Sequence, residues 1–118
     1  MIIGLERLSR IDYVCRLAQL SRIQRLTFYE SLAHNLTVCI RVQWSESSLS
    51  DSDKVARIKW LNEILHRVTA IIQVIRTESH DWTDNDMWMM IQDMTRQSPS
   101  ISSTVGDAIE SSLVQAVK

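Results

Sequence analysis

Asp53-Lys54-Val55-Ala56-Arg57-Ile58-Lys59-Trp60-Leu61-Asn62-Glu63-Ile64-Leu65-His66-Arg67-Val68-Thr69-Ala70-Ile71-Ile72-Gln73-Val74-Ile75-Arg76 is the stretch that decides the fold. At 100° per residue, Ile58, Leu61, Ile64, Leu65, Val68, Ile71, Ile72 and Ile75 fall on one apolar face, and polar or charged residues occupy much of the other. A helix of that length spans about 36 Å and needs an equally long partner to cover it. The preceding segment supplies one. Ser21-Arg22-Ile23-Gln24 has the form of a capping box, in which the serine oxygen accepts from an orphan amide and the glutamine reaches back. From about 22 to 43, Leu26, Tyr29, Leu32, Ala33, Leu36, Cys39 and Ile40 make a second broad stripe. Trp44-Ser45-Glu46-Ser47-Ser48-Leu49 reads as the connection, and Ser50-Asp51-Ser52-Asp53 offers a cap and first-turn carboxylates suited to a positive helix N-terminus. The short link predicts an antiparallel hairpin of two long helices, about 22–43 and 53–76.

Between Leu5 and Ser98 there is no glycine and no proline; the chain holds only Gly4, Pro99 and Gly106. Positive-φ turns and fixed bends are therefore missing over 94 consecutive positions, and nearly everything is predicted to be helix joined by polar turns. The phosphate loops, dinucleotide fingerprints and nucleophile elbows that need glycine have no place to form.

Beyond the hairpin, Glu78-Ser79-His80-Asp81-Trp82 reads as a turn, and Thr83 with Asp86 caps a shorter helix over 83–96. Ser98-Pro99 opens a last helix over 100–117, with Ile101, Val105, Ala108, Ile109 and Ala116 on its inner side. The fold class is all-α, a helical bundle of one domain over 1–118. The first twenty residues carry two apolar stripes: Leu8, Ile11, Val14, Cys15 and Ala18 on one side, and Leu5, Tyr13, Leu17 and Leu20 on the other. A helix apolar on two sides must be covered on both, which predicts a peripheral or intersubunit helix over 1–20.

At 118 residues such a domain can bury a core without staples. Cys15 and Cys39 have no paired spacing and lie among apolar neighbours, as small buried hydrophobes in a reducing, cytoplasmic setting do. No apolar run approaches the ~20 residues that span a bilayer. Net charge is −1, which argues against nucleic acid as a partner held by phosphate contacts. The charge is uneven: residues 1–44 sum to +3 (six Arg against Glu6, Asp12 and Glu30), and residues 45–118 to −4 (seven Lys/Arg against eleven Asp/Glu).

Two features could carry chemistry. Glu30 with His34, and Glu63 with His66, sit four and three residues apart, each pair on one helical face. Di-metal helical bundles use Glu-x-x-His pairs, so a transition-metal site, with oxidoreductase chemistry, is one reading. The ideal wheel turns both histidines away from the apolar stripes, which weighs against it. The second feature is the segment 82–94. Met87, Met90, Ile91 and Met94 share a core face, whereas Trp88 and Met89 fall off it and, with Trp82, suggest a contact surface. Asp81, Asp84 and Asp86 lack the spacing and glycine of a calcium loop. No nucleophile, base and orienting group converge. The sequence therefore predicts no cofactor and an interaction or regulatory protein acting as a homo-oligomer, presenting Trp82, Trp88, Met89, Leu5, Tyr13 and Leu17 to protein partners.

Overall fold

A computed structural model describes residues 10–46, 50–77, 84–97 and 101–117, with side chains from Tyr13 onward. They form five helices: α1 (Arg10–Ala18), α2 (Arg22–Ser45), α3 (Asp51–Arg76), α4 (Asp84–Gln97) and α5 (Ser102–Ala116). The predicted hairpin is present. Ser21 caps α2 through the full capping box, its Oγ accepting from Gln24 N at 3.1 Å while its own amide donates to Gln24 Oε1 at 3.0 Å. Ser50 Oγ likewise accepts from Asp53 N at the start of α3.

Cross-links along the hairpin fix its antiparallel sense. At the connection end, Lys54 Nζ donates to the Trp44 carbonyl and Arg57 to Gln43 Oε1. At the far end, Arg76 pairs with Glu30 at 2.8 Å, and Arg22 donates to the carbonyls of Ile75 and Arg76, which close α3. That last contact places a guanidinium on the negative end of a helix dipole.

α2 is the hub, packed against α3 on one side and α5 on the other, while α4 packs on α3 and α1 packs on α4. One core cluster draws on all five helices. Of the eight residues on the predicted face of α3, Ile58, Leu61, Ile64, Val68, Ile71 and Ile72 are buried, and Leu65 and Ile75 pack half-buried at its edges. α2 buries Tyr29, Leu32 and Leu36 of its predicted stripe and holds Leu26, Ala33, Cys39 and Ile40 half-buried; it also buries Phe28 and Gln43, because two neighbours widen the arc that is covered. Every residue predicted on the inner side of α5 is buried, together with Leu113, Ser112 and Gly106.

α1 and α4 correct the sequence reading. Tyr13 and Leu17, expected to face a partner, are fully buried against this chain's own core, and Trp88 is 2% exposed. Cys15, expected to be buried, is exposed, and Ala18 of the same stripe is exposed with it. The cause is common to all five. α1 lies on α4, so α4 is covered from two directions and its buried arc shifts to Met87, Trp88, Ile91 and Thr95. Met90 and Met94 are pushed to the half-buried edge.

The uneven charge also finds its use inside the fold. Arg16 of the basic half forms a two-pronged pair with Glu110 of the acidic half, at 2.9 and 3.2 Å. Arg25 lies 3.2 Å from Asp84. These ties join α1 to α5 and α2 to α4.

Candidate functional site

The Glu/His pairs predicted as metal ligands are not brought together. Glu30 and His34 line a shallow polar recess between α2 and α5, with Thr27, Ser31, Asn35, Ser111 and Gln115. Glu63 and His66 line a separate one on α3, with Asn62, Leu65 and Thr69. All four side chains are exposed, and the Glu30 carboxylate is engaged by Arg76. Among the described residues no three His, Cys, Asp or Glu side chains gather where they could hold an ion. Each pair offers two ligands, fewer than the three or four that protein groups supply to a transition metal.

The most ordered polar chemistry lies where α1, α2 and α4 meet. Tyr13 of α1 packs its ring 5.2 Å from Trp88 of α4 and 6.1 Å, edge-on, from Phe28 of α2. Its hydroxyl is 3.1 Å from the Tyr29 hydroxyl, and Tyr29 donates to Asp84 Oδ1 at 2.8 Å. A carboxylate oxygen only accepts, so Tyr29's single proton is committed to Asp84. The Tyr13–Tyr29 bond must then run with Tyr13 as donor, and the relay reads Tyr13 to Tyr29 to Asp84. Arg25 flanks its end: Nε approaches Asp84 Oδ2 at 3.2 Å without making a hydrogen bond, and an Nη2 proton goes to the Leu17 carbonyl that ends α1.

Burial pushes both phenols well above their ordinary value near 10. For Tyr13 the bond to Tyr29 and the Arg25 charge oppose that shift; for Tyr29 the neighbouring Tyr13 and Asp84 add to it. Both phenols therefore stay protonated at neutral pH. The relay's chemical role is to fix the seat of α1. Cys39, half-buried, is also raised, first by burial and then by Asp107, so its thiol is a poor nucleophile.

Of the predicted contact residues, Met89 is on the surface at 48% exposure. Trp82 and Leu5 lie outside the described residues, as do His80, Thr83 and Pro99. The surface does hold a tryptophan that the predicted contact set omits. Trp44, at 60% exposure, closes the last turn of α2, with Val55 at 58% exposure near the facing start of α3. It continues the i, i+4 ridge Leu36–Ile40–Trp44, which its assignment to the connection obscures. Trp60 is half-buried, with the Lys59 ammonium 4.9 Å from its ring centre. Among the described residues, no helix is long and apolar enough to cross a membrane. No family model, curated protein or solved structure matches this chain.

Proposed function

We propose that this chain is a small cytoplasmic interaction or regulatory protein that acts as a homo-oligomer, with the connection end of the hairpin as its contact surface. One observation carries the reading: Trp44 stands exposed at the end of a long helix, after the core has been completed without it, and Val55 near the start of α3 is exposed too. Tryptophan combines a large apolar face with few rotatable bonds and is favoured at interface hot spots. The flanking charges, Arg41 on α2 and Asp51 and Asp53 on the first turn of α3, are of opposite sign. A two-fold contact between two such ends sets each sign against the other. Two free thiols suit the cytoplasm.

Native mass spectrometry over a concentration series tests the reading. A dimer or larger species is expected, without added metal mass. Trp44→Glu should raise its dissociation constant about tenfold or more, since it places a charge where an apolar anchor was. A strictly monomeric chain at the highest concentration, or association indifferent to Trp44→Glu, overturns it. A mass excess of one or two transition-metal ions per chain would return attention to Glu30, His34, Glu63 and His66.

A further inference from the structure

We infer that α1 is exchangeable: the groove that seats it accepts α1 of a second copy, through conversion of the α1–α2 corner into continuous helix. This goes beyond the Trp44 contact and does not depend on it.

The corner contains nothing that enforces a bend. Gln19-Leu20-Ser21 joins the two helices without glycine or proline, and neither residue type occurs anywhere from Leu5 to Ser98. What turns the chain is one cap. Ser21 adopts φ −65° and ψ 168°, and its reciprocal bonds with Gln24 replace the helical bonds that would otherwise run through the corner. Two further bonds brace it, both to the Leu17 carbonyl, from Leu20 N at 3.1 Å and Arg25 Nη2 at 3.3 Å. A continuous helix recovers backbone bonds across residues 19–21, so the bent and straight forms differ by a handful of hydrogen bonds.

α1 has nine described residues, and a helix of that length does not hold alone. It is helical because it is seated, and the straight form makes it helical as an extension of α2. Its anchors form a compact set: Tyr13 and Leu17 at i, i+4, both fully buried, the Tyr13 hydroxyl on Tyr29, and Arg16 on Glu110. In the straight form Tyr13 and Leu17 project as an apolar stripe on a helix running from Arg10 to Ser45, while Trp88, Phe28 and the Tyr29 hydroxyl of the same chain are uncovered. The segment whose chemistry matches that groove is α1 of another copy, which supplies the same ring, the same hydroxyl donor and the same guanidinium. Reciprocal exchange satisfies both chains and makes a two-fold pair.

The test is made in the Trp44→Glu background, so that the hairpin-end contact cannot supply the dimer, with protein refolded from denaturant at low and high concentration and sized by light scattering. Arg22→Pro blocks the straight form: proline suits the first helical position and the extended conformation of the residue before it, but not a helix interior. Arg22→Ala is its control, losing the same contacts to the Ile75 and Arg76 carbonyls while permitting the straight form. Joint Ser21→Ala and Gln24→Ala removes the cap and favours it. Refolded at high concentration, the cap-less variant should give at least tenfold more dimer than Arg22→Pro, with Arg22→Ala on the side of the former.

Exchange is then read separately from simple association. Arg16→Glu and Glu110→Arg, each made in the cap-less chain, should pair with one another in preference to themselves when co-refolded, because α1 of each copy would meet α5 of the other. Dimer formed equally by Arg22→Pro, or no preference in the charge-reversed mixture, overturns exchange, and a dimer that persists undiminished in this background counts against the Trp44 contact as well. Loss of association on Trp44→Glu alone, with monomers from every corner variant, supports the Trp44 contact and overturns exchange. Monomers throughout, in the parent chain as well, overturn both.

Discussion

Trp88→Ala is expected to destabilise the protein by about 3–5 kcal/mol, the cost of emptying a large aromatic site in a packed core. A fall in Tm on the order of 15 °C follows for a domain of this size. The basis is that Trp88 is among the largest fully buried side chains, with the Tyr13 ring against one face and α1 closed over it. Total stabilities are about 5–15 kcal/mol, so this one change brings the fold near its limit. Trp44→Ala provides the contrast: at an exposed helix end its effect on stability should stay within about 0.5 kcal/mol. Differential scanning calorimetry on the two variants reads both. A Trp88→Ala protein that melts with the parent would remove Trp88 from the core and restore it to the surface role its helical position suggests.

The second large effect belongs to the tyrosine relay. Tyr29→Phe strands the buried Tyr13 hydroxyl without an acceptor and removes a donor from the part-buried Asp84 carboxylate, for about 2–3 kcal/mol. Tyr13→Phe should cost about 1 kcal/mol, because Tyr29 then loses only an incoming bond and still reaches Asp84. The two losses should not add, since both act through one chain of bonds. Urea denaturation of the two single variants and the double variant measures the order, and a costlier Tyr13→Phe would reverse the donor direction assigned here.

The raised phenol values carry a pH signature. Below about pH 10 both folded and unfolded chains keep these protons, and the pair adds no slope. Above it, the unfolded phenols ionise while the buried ones do not. The native state then binds more protons than the unfolded state, so stability must fall as pH rises. The slope is about 1.4 kcal/mol per pH unit for each tyrosine. Denaturant titrations between about pH 9 and 11 should show this fall, and each Tyr→Phe variant should remove its share of it. An unchanged slope in Tyr29→Phe would place that phenol in contact with solvent.

The hairpin was legible, apart from two residues at each end beside the connection, because its information is local. A face such as Ile58–Leu61–Ile64–Val68 repeats at helical spacing for about five turns, and a Ser-x-x-Gln cap is a four-residue signal whose bonds close within those four residues. The inner side of α5 was legible for the same reason. The candidate sites were not, since each depends on what covers a helix rather than on the helix itself. Trp88 lies off the stripe drawn through Met87, Ile91 and Met94, and only the arrival of α1 makes that flank interior. Tyr13 and Asp84, 71 positions apart, meet through Tyr29, and no spacing rule links them.

α1 shows where the boundary falls. Its residues specify a helix with two apolar stripes, and that much is a property of side-chain order along a 3.6-residue turn. Which stripe turns inward is a choice between two burial energies that differ by a few side chains. It goes to Tyr13 and Leu17 because a ring, a hydroxyl acceptor and a carboxylate from α2, α4 and α5 stand ready to receive Tyr13 and Arg16. Local periodicity sets what can be buried; the partners that pack against it set what is.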